Sequence, residues 1–443
     1  METADRSFGF SDEGIERIVL DSRQDSTNGL FVPIIGEKSD GHDYIEMAIR
    51  NGARAVLSSR DCGSLAAAYP AVRFYPVEDT RRALQEIGLM ERRRFPGTVI
   101  GVTGSVGKTT TRSMIAAALS AERRVFQTAG NANSQVGVPV TLFQMRRSEA
   151  ELAVIELGMS EPGEMTRIAR IACVDIAVIT NIGTAHIENL KTQENILREK
   201  LHILDGMRDG GLLLLNAEDP LLSGVTRETL SRFGIAEGKE IRICRYRPEK
   251  EEAARPKLLV RGYHMQQNAA AALRIASELG VSEAAARQAL ARFGGLQGRG
   301  EIFTTKGGVT IIDDAYNASP ASMRAGLSVL SELRGERKIA VLADMLELGE
   351  REESYHRELG KLISELHIDV LFLYGRLAAL IGESVQQYGD TAGHKPAISY
   401  FTDLTELRNT VCSVAHTGDV LLFKGSNSMR LSDIVSELRK ERE

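Results

Sequence analysis

The segment GVTGSVGKTTT, residues 101–111, carries the residue types and spacing of a phosphate-binding loop. A β-branched run, TVIGVT, leads into a glycine turn, and the turn opens the helical stretch TTTRSMIAAALSAE. Backbone amides of such a turn (Gly104, Ser105, Val106, Gly107) and of the helix start (Lys108, Thr109, Thr110) form an anion site. Lys108 adds a positive charge there, and Thr109 a hydroxyl suited to Mg²⁺. The usual spacing G-x-x-x-x-G-K-[ST] would place its first glycine at position 102, where Val102 stands. The working core is therefore T-G-x-x-G-K-T.

Further polar residues fall at the C-terminal ends of predicted strands, where open α/β sheets place their ligands. Glu156 ends LAVIE, and an acid beside a phosphate loop can hold a bridging metal. His186 follows VDIAVITNIG in a polar turn; it reads either as a satisfied structural histidine or as a metal ligand, although Mg²⁺ prefers oxygen. Lys200, on the amphipathic stretch TQENILREKLHIL, reads from spacing as a solvated helix lysine. In VTIIDDAYNASP, Asp314 is placed to accept from a ribose hydroxyl or reach metal-bound water, and Asn317 to orient a peptide or carboxylate; an Asp-rich capping turn is the alternative. Asp344 and Lys424 occupy analogous strand ends.

The elements that must position these residues fall into three blocks, 1–95, 96–298 and 299–443. The first alternates short apolar runs with helical patterns (GLFVPI, YIEMAIRNGA, ARAVLSS, VRFYPVED), and ERRRFPG, residues 91–97, reads as a linker. The second alternates TVIGVT, LAVIEL, VDIAVIT and GLLLLN with helices, which predicts a parallel sheet covered on both faces. The glycine-rich FGGLQGRG, residues 293–300, reads as a hinge. Beyond it VTIIDD, KIAVLAD, VLFLYG and DVLLFKG predict a second doubly wound domain.

Composition sets outer bounds. A chain of 443 residues exceeds one compact core, and 43% hydrophobic with 26% charged residues is ordinary for a folded protein. A net charge of -5 gives no basic stripe for nucleic acid. No window approaches the roughly 18–20 apolar residues of a membrane helix. The start, METADRSFGF, lacks the apolar run of a secretory signal, and Cys62, Cys173, Cys244 and Cys412 form no metal-type or redox pair. A cytoplasmic protein with reduced thiols is the expectation.

Taken together, these segments resemble the Mur ligase family along essentially the whole chain. TGSVGKTTT is similar to the family's own phosphate loop, and TAGNANSQVGVPVTL (128–142), VIELGMSEPGEM (154–165) and ITNIGTAHIENL (179–190) follow in the family's order. DSR at 21–23 and GEKSDGHDYIEMAIRNGA at 36–53 look like its UDP-binding first domain. DDAYNASPASM (313–323), VLADMLELGE (341–350) and KGSNSMR (424–430) resemble the branch that adds a D-alanyl-D-alanine dipeptide.

The resemblance implies a fold and a set of roles. The fold would be three α/β domains: a small UDP-binding domain, a central P-loop ATPase-type parallel sheet, and a Rossmann-like C-terminal domain. Ser22, Arg23, Asp40, Gly41, His42 and Asn131 would bind the UDP-linked substrate. Thr109 and Glu156 would hold one Mg²⁺, with His186 and a carbamylated Lys200 helping to hold a second; Mn²⁺ would substitute. His264 and Asn268 occupy the family's His-Asn motif, with Asn268 on adenine, although Met265 stands where Asn is usual. Arg299 would touch the phosphates, Asp314 the ribose, and Tyr316, Asn317 and Ser319 the incoming dipeptide. The implied activity is ATP-dependent amide ligation through an acyl phosphate, in peptidoglycan precursor synthesis, by a monomer acting on small molecules. Rival readings are a paralogue acting on another carboxylate and a silent nucleotide-binding scaffold.

Overall fold

The computed structural model describes residues 8–392 and 395–440; the first seven residues, part of the segment read above for a leader, lie outside them. Three sheets follow one another in chain order. The first is parallel and runs β1 (Arg17–Val19), β2 (Gly29–Phe31), β3 (Ala53–Ser58), β4 (Arg73–Pro76) from edge to edge.

The second sheet holds β5 (Thr98–Thr103), β6 (Val125–Gln127), β7 (Leu152–Glu156), β8 (Ile176–Ile179), β9 (Leu212–Asn216) and β10 (Arg242–Tyr246). Its order is β10-β9-β8-β5-β7-β6, and every pair is parallel. The continuous apolar runs follow from burial on both faces. In β7, Ala153 and Ile155 enter one core cluster while Leu152 and Val154 enter the other. Each fully buried aliphatic side chain of this kind contributes roughly 1.5–3 kcal/mol. The chain leaves β5 for one side of the sheet and later returns to its other side at β8, so the mouth of β5 is a topological switch point.

The third sheet holds β11 (Glu301–Thr304), β12 (Thr310–Asp313), β13 (Lys338–Ala343), β14 (Val370–Tyr374), β15 (Ala397–Phe401) and β16 (Val420–Lys424), in the order β11-β12-β16-β13-β14-β15. Strand β11 pairs antiparallel with β12, an edge the apolar patterning did not signal. Because β16 slots between β12 and β13, the Lys424 end lies beside the ends that carry Asp314 and Asp344.

The segment read as a linker is mostly helix. The helix Thr80–Arg94 takes in Glu91–Arg94, with Glu91 and Arg92 buried. The Arg92 guanidinium donates to the Ala172 and Cys173 carbonyls and to Asp175, at 2.8–3.2 Å, which locks the helix end onto the second unit. The charged, proline-containing stretch suggested a linker, whereas tertiary partners supply the acceptors for Arg92 and tie it down. The same helix packs against Gly137–Arg147 so closely that a Cβ on Gly88 would lie 2.8 Å from Pro139 Cα.

Candidate active site

The loop after β5 is held by the strand end next to it. Gly104 has φ +152° and passes so close to Thr180 that a Cβ would lie 1.9 Å from its hydroxyl. Thr180 Oγ1 and Asn181 Nδ2 both donate to the Val106 carbonyl, at 2.7 and 3.0 Å. The Val106 amide donates to Asn181 Oδ1 at 2.9 Å, and the Gly183 amide to Ser105 Oγ at 2.8 Å. Gly107, at φ +80°, then caps the helix Lys108–Leu119, whose first-turn amides have no acceptor within the helix. Its macrodipole adds to the anion preference.

Lys108 Nζ donates to the Gly104 carbonyl at 2.9 Å. Burial pushes its ammonium below the usual lysine range, Glu156 opposes that shift, and Arg299 adds to it. The Thr109 hydroxyl donates to Glu156 Oε2 at 2.8 Å, and Asn133 Nδ2 to Oε1 at 2.7 Å. The Glu156 amide in turn donates to Thr128 Oγ1 at 3.0 Å. Glu156 is thus a buried carboxylate whose oxygens meet neutral donors and, among the described residues, no cationic side chain at ion-pair distance.

Lys200 corrects the sequence reading of a solvated helix residue: it is 1% exposed. Burial first, then Lys108, holds its ammonium well below the ordinary value, opposed by Glu199. His186 sits in the turn after β8 at φ +62°. Burial, Lys108 and Lys200 pull its pKa down to about 4, so the ring is neutral near pH 7. Its Nδ1 lies 3.0 Å from Glu347 Oε2, a residue of the third unit. Glu347 is 65% exposed, and its solvated charge offsets little of the two lysines' effect.

The third unit closes the site from above. The turn 293–300 packs onto its sheet: the Gly298 amide donates to buried Asp313 at 3.0 Å, and Arg299 stacks over the Tyr316 ring at 3.9 Å. Lys424, 1% exposed, donates to Asp314 Oδ2 at 2.5 Å and to the Asn317 carbonyl at 3.1 Å. Burial raises Asp314 above the carboxylate norm, while Lys424 and Arg299 hold it down. Ser319 caps the helix Pro320–Glu332 in a reciprocal capping box with Ser322, and Asn317 is exposed just before it. Asp344 lies at the analogous end of β13, where the Ala378 amide donates to it at 2.6 Å.

A cavity of about 780 Å³ joins these ends, lined by Ser105–Lys108, Glu156, His186, Asn268, Arg299, Asp314, Tyr316, Asn317, Ser319 and Lys424. Asn268 reaches the loop through a 3.0 Å bond from the Thr111 hydroxyl to its Oδ1. His264 lines the same cavity; burial, then Lys424, lowers its pKa to about 4.

The UDP-site candidates lie on the first unit, except Asn131 on the second, and none of them lines this cavity. His42 is buried, donating from Nδ1 to Asp40 at 2.6 Å and accepting the Ser59 amide at Nε2 at 3.2 Å. Arg60 also donates to Asp40, at 2.5 Å. Gly41 packs against the 33–34 backbone, Ser22 is buried against Met47, and Arg23 pairs with Asp21 with its side chain 82% exposed. Asn131 is exposed, while its neighbour Asn133 reaches Glu156. Sequence reasoning missed Asn133, Thr180, Asn181 and Glu347. The Asn-rich run 131–133 signalled the loop but not which amide turns inward.

The donor set fits a hard cation shared with a ligand. One carboxylate, one hydroxyl and one imidazole face a phosphate loop, and no cluster of three or more His, Cys, Asp or Glu suited to a metal exists among the described residues. Mg²⁺ is commonly held this way, by one or two carboxylates with phosphates and waters completing its shell.

Comparison with known proteins agrees with this architecture. Family models match in three stretches: "Mur ligase family, catalytic domain" at 14–92, "Mur ligase middle domain" at 102–276 and "Mur ligase, glutamate ligase domain" at 298–427. The UDP-N-acetylmuramoyl-tripeptide--D-alanyl-D-alanine ligase of Bacillus subtilis (strain 168) is 36% identical, over 96% of this chain and 93% of that one. The enzyme of the same name from Synechocystis is 32% identical, over 96% and 92%. Among solved structures, MurF from Acinetobacter baumannii superposes with a TM-score of 0.81 at 28% identity, covering 96% and 94% of the two chains. MurF ligase from Thermotoga maritima in complex with ADP gives 0.78 at 28% identity, over 98% and 99%. Identity at this level over nearly the full length places the chain in the Mur ligase family.

Proposed function

We infer that this chain is the ATP-dependent ligase that joins D-alanyl-D-alanine to UDP-N-acetylmuramoyl-tripeptide in peptidoglycan precursor synthesis. The observation that carries it is the shared cavity, which connects the phosphate loop of the second unit to the Asn317–Ser319 turn of the third. The relatives of that name and the neighbour solved with ADP support the same reading.

The reaction transfers the γ-phosphoryl of ATP to the tripeptide's terminal carboxylate. The dipeptide amine then attacks the acyl phosphate, and inorganic phosphate leaves. Positioning and charge neutralisation dominate such chemistry. Gly104–Thr110 cradle the phosphates, Lys108 and Arg299 neutralise developing charge, Asn268 contacts adenine and Asp314 the ribose. Tyr316, Asn317 and Ser319 receive the dipeptide. Ser22, Arg23, Asp40, Gly41, His42 and Asn131 serve the UDP-linked substrate, with Asp40 and His42 shaping the turn from inside. The substrates are divided among units 1–95, 96–298 and 299–443, so closure assembles the site and keeps water from the acyl phosphate.

Mg²⁺, or Mn²⁺ in its place, would be held at two positions by Thr109 and Glu156 and by His186 and Lys200; it supplies Lewis-acid neutralisation of phosphate charge. Burial of Lys200 favours its neutral amine, the form that CO₂ carbamylates, and a carbamate would turn this cation into an oxygen ligand. No helix among the described residues is long and apolar enough to cross a membrane. We assign the enzyme to the cytoplasm as a monomer, where ATP and the UDP-linked precursor are found. The net charge of -5 gives no support for a nucleic-acid partner. ADP release is the test: purified protein with UDP-tripeptide, Mg²⁺ and ATP should release ADP in proportion to added D-alanyl-D-alanine. Release independent of the dipeptide, or none, overturns the assignment.

A further inference from the structure

Arg112, one helical turn beyond Lys108 on the helix Lys108–Leu119, is a charged group to which the reaction above gives no part. It is 5% exposed, and among the described residues no carboxylate lies at ion-pair distance from it. Burial pushes its guanidinium below the ordinary arginine range, with Glu156 opposing from beyond contact. An unpaired buried cation costs stability, so stability alone does not account for it. Its donors go to the turn after β6. Nη1 donates to the Thr128 carbonyl and, at 3.3 Å, to the Gly130 carbonyl, and Nη2 to Ser113 Oγ at 3.1 Å. The far end of that turn has its own anchors: Thr141 Oγ1 donates to the Ala132 carbonyl at 3.2 Å and the Gly158 amide to the Asn133 carbonyl at 2.9 Å. Asn133 and Ser134 line the cavity, and Gln85 of the first unit donates to the Gln135 carbonyl at 3.4 Å. The turn therefore lies between the cavity and the unit that carries the UDP-site candidates. The phosphate loop is supported elsewhere, by Thr180, Asn181 and Gly183 after β8, and β6 and β8 lie on opposite sides of β5.

We propose that Arg112 is a positioning residue for the UDP-linked substrate: by clamping carbonyls 128 and 130 it fixes the 128–133 turn that receives the substrate's peptide end, and not the phosphate loop that receives ATP. The chemistry follows from the groups. A planar guanidinium presents several N–H donors in a fixed fork, so one side chain bridges two carbonyls that a lysine would meet singly. With both ends of the turn anchored, the Asn131 and Asn133 amides between them are ordered before substrate arrives, and binding is spared that entropy. The clamp sits on the phosphate-loop helix itself, so the peptide-side turn keeps one register against the γ-phosphate position. The proposal rests on the acceptor given above, a carboxylate carried by a UDP-linked peptide.

Steady-state ligation by the full-length protein separates the two loops. Arg112→Met should raise KM for UDP-tripeptide about tenfold or more, the scale of losing hydrogen bonds from a charged donor, while KM for ATP and the calorimetric affinity for ADP change less than about twofold. Arg112→Lys, which keeps a donor for one carbonyl, should fall between Arg112→Met and wild type. Asn133→Ala should raise the same KM, and the double variant should bind UDP-tripeptide no worse than the weaker single variant, because both act through one turn. An unchanged KM for UDP-tripeptide, an equal loss of ADP affinity, or losses that multiply in the double variant overturns the proposal. If Arg112→Met does not fold, Arg112→Lys and Asn133→Ala carry the same comparison. Wild-type ADP release that ignores the dipeptide overturns the functional reading and the clamp's substrate with it. A normal wild type beside an indifferent Arg112→Met removes the clamp alone.

Discussion

The Thr109 hydroxyl donates to Glu156 Oε2 at 2.8 Å, tying the first helical turn after β5 to the end of β7. A parallel sheet that switches direction at β5 sets these two strand ends side by side, although the residues are 47 positions apart. Glu156→Gln keeps the side-chain shape and removes the anion. Mg²⁺-dependent ligation should fall about 100-fold or more, the scale of losing one preorganised electrostatic contact. Nucleotide binding without metal, followed by calorimetry, should survive. Wild-type turnover in the variant would take Glu156 out of the metal's reach.

Lys108 is half-buried and its ammonium is held at the loop by the Gly104 carbonyl, a position that the neighbouring Arg299 approaches from the other unit and does not duplicate. Lys108→Ala should abolish ligation at every ATP concentration, because the charge acts on the transferring phosphoryl and not only on binding. A variant rescued by raising ATP would confine Lys108 to affinity.

Lys200 is buried, and burial favours its neutral amine. Lys200→Ala should lose ligation, and short carboxylic acids added to the assay should restore part of it by standing in for the carbamate. Activity that is lost and not rescued by any acid would point to packing, and retained activity to a passive lysine.

Lys424 and Asp314 form an ion pair at 2.5 Å with the lysine side chain 2% and the aspartate 23% exposed. Lys424→Met strands a carboxylate that burial already disfavours in its charged form. Destabilisation of about 3 kcal/mol is expected, the lower part of the range for a broken buried pair because Asp314 keeps some solvent. Adding Asp314→Asn should recover much of that loss in urea unfolding. No recovery would show that the pair does not set the stability of this turn.

His264 has its pKa lowered from 6.5 to about 4, by burial first and then Lys424, with Glu332 opposing. The folded ring is neutral where the unfolded one takes a proton, so stability should fall as pH drops from about 6.5 toward 4 and level off below. His186 shifts in the same direction. Comparing unfolding midpoints of wild type and His264→Gln across that window isolates the His264 share, which should appear as a shallower slope in the variant. Identical slopes would count against a buried neutral His264.

Much of the layout was legible before any coordinates. The apolar runs became β5, β7, β8, β9, β12, β13, β14 and β16, because strands buried on both faces must be apolar throughout. Short or half-exposed strands carry no such signal, which is why β6, β10, β11 and β15 were not anticipated. The stretch 91–97 misled for a related reason. Its charges and proline read as a linker, but carbonyls at 172 and 173 and Asp175 receive Arg92 across the fold.

By itself the sequence determined the phosphate loop, the run of three α/β units and the polar strand ends, because local backbone geometry and two-sided burial leave their marks in residue order. Tertiary structure decided how those ends combine. It set Asn133 rather than Asn131 on Glu156, buried Lys200, and brought Glu347 across to His186 from a unit more than a hundred residues away. These are partnerships between distant segments, created by strand order and domain docking, and no local pattern encodes them.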